Sequence, residues 1–243
     1  MRMPETAAIV LIALAAAVIT PACPSPAQQD PSFDAARQTM IEQHLKGRDI
    51  TDPAVLQAMA EVPRHLFVPR ALQPFAYADR PLPIGHRQTI SQPYIVALMT
   101  QLLELNEKDR VLEIGTGCGY QAAVLSKLAG HVYTIEIVES LAVEARKRLA
   151  ELGFKNVSVR AGDGFDGWPE HAPFDKIILT CAVEEMPPAL VEQLKEGGQI
   201  IAPMGAPGKV QYLVITVKEA MRLRQKTVIP VRFVPMTGKA LER

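Results

Sequence analysis

The chain has 243 residues, a formal net charge of zero and 5% aromatic residues, so neither a basic footprint nor a run of stacking platforms points to nucleic acid. Three cysteines (Cys23, Cys118, Cys181) and five scattered histidines supply no metal-type spacing and no disulfide framework, and no metal is expected. The length suits a single α/β domain with a sizeable core behind a leader.

The leader is the first element. Residues 7–20, AAIVLIALAAAVIT, form an unbroken apolar run behind Arg2. At 14 residues the run is shorter than the roughly 20 that a membrane-spanning helix needs. It fits the apolar region of a secretory signal, with Ser25-Pro26-Ala27 as a candidate cleavage site. Thr20-Pro21-Ala22-Cys23 loosely resembles a lipoprotein processing site, although proline fits it poorly. An uncleaved N-terminal anchor, or a true start at Met40, accounts for the same residues. Residues 21–31 are rich in Pro, Gln and Ser and read as a linker. Residues 1–32 are therefore expected to be a signal peptide or anchor plus linker, and the destination the periplasm or envelope. The protein is cytoplasmic if the leader is not used, and membrane contact is expected only through such an anchor.

Residues 33–243 read as the folded domain, with a helical cover (33–105) over a core (106–243). Residues 36–45 and 53–62 are predicted helices, the second with Asp52 as N-cap and Pro53 at its first position. Residues 62–83 are proline-rich irregular cover. Residues 83–93, PIGHRQTISQP, set small polar side chains between prolines and read as a stiff loop that presents hydroxyls. Ser91 is expected to cap a helix over 93–105, a role compatible with substrate contact because hydroxyls and free N–H groups at a helix start also hold a carboxylate.

The most informative stretch is 111–137, VLEIGTGCGYQAAVLSKLAGHVYTIEI. It reads as strand, glycine turn, helix and second strand, closed by Glu136. Glycine at 115, 117 and 119 lets the backbone turn sharply and lets a ligand approach without a Cβ in the way. A carboxylate ending the second strand suits two ribose hydroxyls. The spacing is G-x-G-x-G rather than the dinucleotide G-x-G-x-x-G. Glu113, two residues before the first glycine, would repel a pyrophosphate but suits a cation such as a methionine amino group. S-adenosylmethionine is therefore favoured over NAD; an ordinary βα turn without a ligand is the alternative.

Further along, 140–152 is a predicted helix and 157–161, 176–180 and 199–203 are predicted strands. A helix over 188–194 is expected to stop at Gly197-Gly198, and 210–217 with 222–230 to form a hairpin. The alternation implies a mostly parallel sheet with helices on both faces and an antiparallel C-terminal hairpin. Asp163, between Gly162 and Gly164, follows the third strand of this core, on the same sheet edge as Gly117 and Glu136. It suits either an Asp-Gly turn or an adenine amino group. Cys181 and Glu184 follow the next strand without an assigned role.

These segments resemble the protein-L-isoaspartate (D-aspartate) O-methyltransferases. The residues that carry the resemblance are Val62-Pro63-Arg64 with Phe67-Val68-Pro69, Leu82-Pro83-Ile84-Gly85, and the highly specific run Gln88-Thr89-Ile90-Ser91-Gln92-Pro93-Tyr94. The glycine loop, Gly162-Asp163-Gly164, Ala172-Pro173-Phe174-Asp175, Gln193-Leu194-Lys195-Glu196-Gly197-Gly198 and Val231-Arg232-Phe233-Val234-Pro235 complete it, from Arg37 to Pro235. The resemblance implies a class I, Rossmann-like methyltransferase fold with S-adenosylmethionine as donor. It implies methylation of the free carboxylate of L-isoaspartyl residues in damaged proteins or peptides, which starts repair through a succinimide. It also implies that Thr89, Ile90 and Ser91 line the junction of donor and acceptor, with Ser91 the active-site serine. Glu136 would take the ribose, Asp163-Gly164 the adenine, and Thr237 would lie near the cofactor. Two features depart from the family: Arg87 stands where glycine or alanine is usual, which bears on the peptide groove, and a leader is unusual. The competing expectations are a methyltransferase for another small-molecule carboxylate or nucleic acid, and a non-catalytic exported protein that binds isoaspartyl segments.

Overall fold

A computed structural model describes residues 31–206, 208–220 and 222–241; the leader read from the sequence lies outside the described residues. Among the described residues no helix is long and apolar enough to cross a membrane. The central sheet has seven strands: β3 (Arg110–Ile114), β4 (His131–Glu136), β5 (Val157–Ala161), β6 (Phe174–Leu179), β7 (Leu194–Met204), β8 (Gln211–Glu219) and β9 (Arg222–Val231). Their order is β5-β4-β3-β6-β7-β8-β9. The first five lie parallel, and β8 and β9 add the antiparallel edge. Chain order reverses between β3 and β6, which opens a crevice beyond their carboxyl ends.

Alternation along the strands builds two cores. Val111 and Ile178 join the cluster on one face, Leu112, Ile177 and Leu179 the cluster on the other. The first face is covered by α2 (Pro53–Glu61), α3 (Pro93–Leu102) and α4 (Tyr120–Ser126). α6 (Pro188–Glu192) contributes Leu190 to the second, and α5 (Glu139–Glu151) runs beside β5. The N-terminal helical stretch is longer than expected: α1 (Pro31–Thr39) continues into a π-helical turn over Met40–Lys46. Asp52 caps α2 as read from the sequence, its side chain accepting from the N–H groups of Ala54 and Val55.

Three local readings are corrected. The N-cap of α3 is Gln92, without a side-chain cap bond, so Ser91 does not cap this helix. Asp79 of the cover does that work: Oδ1 accepts from Tyr94 N at 3.0 Å and Oδ2 from Gln92 Nε2 at 2.8 Å. The loop between the two prolines is not structureless. Leu82–Gly85 (β1) pairs antiparallel with Gln88–Ile90 (β2), and Gly85, His86 and Arg87 turn between them with φ of 93°, 51° and 58°. A left-handed Arg87 is costly for a residue with a Cβ, and glycine would sit there without strain. Finally, Gly197 and Gly198 do not end a helix. α6 stops at Glu192, and the two glycines lie inside β7, where a Cβ on Gly198 would meet Lys195 O at 2.8 Å and Asp175 O at 2.9 Å.

Candidate active site

The crevice is walled by the loops that leave β3, β4, β5 and β6. β3 delivers the glycine loop. Gly115 has φ of 97°, and a Cβ on it would stand 2.3 Å from Thr180 Oγ1, which donates to Gly115 O at 2.6 Å. Gly117 has φ of 52°, and a Cβ there would lie 3.3 Å from Ile84 Cδ1 of the β1–β2 hairpin. Gly115 thus has no space for a side chain and Gly117 has little, so bare backbone lines the crevice at these two positions. Gly164, after β5, also lines the crevice, and a Cβ on it would collide with Ile114 Cγ2 at 2.4 Å.

Glu136 ends β4 and is 5% exposed. Its Oε2 accepts from Gly117 N at 2.8 Å and its Oε1 from Val138 N at 3.0 Å. A carboxylate offers about four acceptor sites, so two remain for hydroxyls on the crevice side that Glu136 lines. Thr237 reaches the crevice because the C-terminal segment is stitched to the loop after β6. Ala182 N donates to Val234 O at 2.8 Å, and Met236 N donates to Ala182 O at 2.8 Å.

Thr89, Ile90 and Ser91 form the remaining wall. A second groove of about 430 Å³ lies beside Thr89 and Ser91 and is lined also by Ile95, Arg232 and Phe233. Thr89, Ser91 and Thr180 border both spaces. The half-buried Ser91 thus lies between a glycine-floored crevice and a second groove. Its carbonyl accepts from Arg64 Nη2 at 2.6 Å.

Two residues singled out in the sequence do not line the crevice. Glu113 was expected to face a cationic ligand; it is fully buried. Strand alternation puts it on the opposite face of β3 from Ile114, which does line the crevice. Its Oε2 accepts from Thr134 Oγ1 at 2.5 Å, Thr134 Oγ1 lies 2.6 Å from Thr116 Oγ1, and its Oε1 has no partner among the described residues. Burial pushes the Glu113 carboxyl up to about 8, with the Thr134 hydrogen bond opposing and the charge of Glu136 adding. The neutral acid beneath the loop is therefore a scaffold for the two threonines. Asp163 stands behind Gly164, its Oδ1 taken by Phe165 N at 2.9 Å and its Oδ2 by Lys239 N at 2.8 Å, so it also ties down the C-terminal segment.

Among the described residues the crevice shows neither a histidine nor a reactive thiol. Cys181 does line it, but burial and then the charge of Glu136 push its thiol up to about 12, which keeps it protonated and unreactive. Glu184 is exposed and outside the crevice. Sequence reading gave no site role to Tyr120, Thr180, Arg232 or Phe233; the available signals were the position of Thr180 directly after a central strand and the place of Arg232 and Phe233 in the resemblance. What the site offers is a carboxylate with acceptor sites to spare, a backbone cradle and a hydroxyl at a junction, which fits transfer between two bound molecules.

Comparison with known proteins decides which transfer. Residues 35–241 match the family described as protein-L-isoaspartate(D-aspartate) O-methyltransferase. The chain belongs to this family. It is 56% identical over 207 residues to protein-L-isoaspartate O-methyltransferase 2 of Shewanella sediminis, covering 85% of each chain. It is 55% identical over 201 residues to protein-L-isoaspartate O-methyltransferase of Opitutus terrae, covering 83% of this chain and 86% of that one. A solved protein-L-isoaspartate O-methyltransferase superposes with a TM-score of 0.76 at 31% identity, over 84% of this chain and 67% of that one. A Plasmodium falciparum structure described as a putative enzyme of this kind, in complex with S-adenosyl-L-homocysteine, gives 0.72 at 24% identity, over 83% and 98%. The enzyme is a class I, S-adenosylmethionine-dependent methyltransferase. It methylates the free carboxylate of L-isoaspartyl residues, the step that starts their repair. The alternatives of a non-catalytic binder or a different acceptor class fall away.

Proposed function

We propose that the crevice holds the donor and the second groove holds the isoaspartyl peptide, with Ser91 as the acceptor-side hydroxyl between them. The observation that carries this reading is the shared border: Thr89, Ser91 and Thr180 face both spaces. In the same reading the chain divides into a cover (33–105), which brings Thr89 and Ser91 to the border, and a cofactor-binding core (106–243), which brings the glycine loop and Glu136 to the crevice and Arg232 and Phe233 to the groove.

The cradle fits the donor. Glu136 has two acceptor sites left for the ribose hydroxyls, Gly115 and Gly117 offer bare backbone, and Gly164, Met236 and Thr237 close the adenine end. Asp163 supports that end from behind by holding Lys239, and Glu113 supports the loop through Thr134. S-adenosylmethionine supplies an activated methyl on a cationic sulfur. An acceptor carboxylate titrates near pH 4, so it is already ionised at neutral pH and needs no base from the chain. The work left to the protein is alignment and exclusion of water, where orientation alone supplies several kcal/mol. Ser91 donates to one acceptor oxygen and leaves the other free to react.

Replacing Ser91 by alanine is expected to lower kcat about tenfold to a hundredfold, the range for one hydrogen bond to a charged group. Affinity for S-adenosylhomocysteine should stay unchanged. Steady-state kinetics beside calorimetry check this, and a parallel collapse of cofactor affinity contradicts the role.

The apolar run at residues 7–20 supports export to the periplasm or envelope, with membrane contact only through an uncleaved anchor. The mass of the mature N-terminus tests this; an intact Met1 on protein recovered from the cytoplasm contradicts it.

A further inference from the structure

Among the described residues Arg64 is the largest fully buried side chain, with no exposed surface. Among the described residues no carboxylate forms an ion pair with it. A buried charge without a counterion is expensive, and an apolar side chain of similar volume is often neutral or stabilising in such a place. Stability alone therefore does not explain an arginine here. Its contacts do. Nε donates to Ala76 O at 2.7 Å and Nη2 to Ser91 O at 2.6 Å. The guanidinium carbon lies 4.8 Å from the centre of the Tyr120 ring. Tyr120 opens α4 directly after the glycine loop and lines the donor crevice. One rigid fork thus ties a turn of the cover, the backbone of the acceptor hydroxyl and the donor wall to one another. Only a planar group with several fixed donors reaches two carbonyls and a ring face together.

We propose that Arg64 is a positioning residue for methyl transfer: it fixes the Ser91 backbone against the donor wall and so aims the Ser91 hydroxyl. The inference rests on the reading of Ser91 as the acceptor-side hydroxyl. It assigns Arg64 no contact with either substrate.

A double-mutant cycle on the full-length enzyme tests it. Arg64→Met, Arg64→Lys and Ser91→Ala are made singly, and each Arg64 change is also combined with Ser91→Ala. Methyl transfer to an isoaspartyl peptide and binding of S-adenosylhomocysteine are measured for all. Arg64→Met is expected to lower kcat roughly tenfold with S-adenosylhomocysteine affinity kept, and to cost little more once Ser91 is already alanine. Arg64→Lys keeps the charge but not the fork and should behave likewise; it carries the cycle if the methionine variant does not fold. Losses that multiply in the double variants, S-adenosylhomocysteine affinity that falls in step with kcat, or full turnover with lysine would each overturn the inference. The first of these leaves the role of Ser91 standing. Wild-type turnover in Ser91→Ala overturns both.

Discussion

Replacing Glu136 by alanine should raise the dissociation constant for S-adenosylhomocysteine by about a hundredfold or more. Hydrogen bonds to a charged group contribute about 1.5–3 kcal/mol each, and the proposed ribose assignment gives Glu136 two of them. The same carboxylate also holds the N–H groups of Gly117 and Val138, so its removal loosens the glycine loop as well as taking those bonds away. Glu136→Gln keeps the shape and one acceptor oxygen and should fall between the two. Calorimetric titration gives the constants directly. Because the acceptor side does not involve Glu136, the Michaelis constant for the peptide at saturating donor should move little. An unchanged affinity for S-adenosylhomocysteine in the alanine variant refutes the ribose assignment.

The second large effect is a pH dependence. Burial raises the Glu113 carboxyl from its ordinary 4.5 to about 8 in the folded protein. Between those values the folded chain holds a proton that the unfolded chain has lost. The stability this acid contributes is therefore complete below about 4.5 and is lost as the pH rises through about 8. At roughly 1.4 kcal/mol for each pH unit, the loss across that window reaches several kcal/mol. Glu113→Gln has no proton to lose. Relative to wild type, the glutamine variant should gain stability steadily from pH 5 to pH 8. The difference between the two proteins is the informative quantity, since His131, whose pKa burial lowers, titrates in both. Urea unfolding of both proteins across the range supplies it; stability curves that stay parallel contradict a neutral acid under the loop.

Much of the donor side was legible because it is local. Gly115, Gly117 and Glu136 sit within one strand–turn–helix–strand unit, where periodicity and glycine spacing carry the geometry. The β1–β2 hairpin was not legible: its strands are four and three residues long, and its turn uses His86 and Arg87 where glycine or asparagine would have announced it. Ser91 looked like a helix cap because a hydroxyl two residues before Pro93 is a good local guess. The competing cap, Asp79, is 15 residues from Tyr94 in sequence, and local reading has no access to it. The charge of Glu113 beside the glycine loop suits a cationic ligand, but in a doubly covered strand both faces are apolar and the pattern does not mark which one meets the ligand. Arg64 carried the resemblance without a role, because an arginine in a proline-rich stretch ordinarily reads as surface and only tertiary packing buries it. The groove proposed for the acceptor joins Ser91 and Ile95 to Arg232 and Phe233 across most of the domain, so no sequence window contains it.

Methyl transfer in this enzyme is proposed to turn on one hydroxyl, Ser91, between a donor crevice and an acceptor groove. A crystal structure of the enzyme with S-adenosylhomocysteine and an isoaspartyl peptide measures this most directly. It should show the ribose hydroxyls on the Glu136 carboxylate, the peptide in the groove beside Phe233, and the isoaspartyl carboxylate within hydrogen-bond distance of Ser91 Oγ. A ribose held elsewhere, or a carboxylate that reaches the donor without passing Ser91, would contradict it.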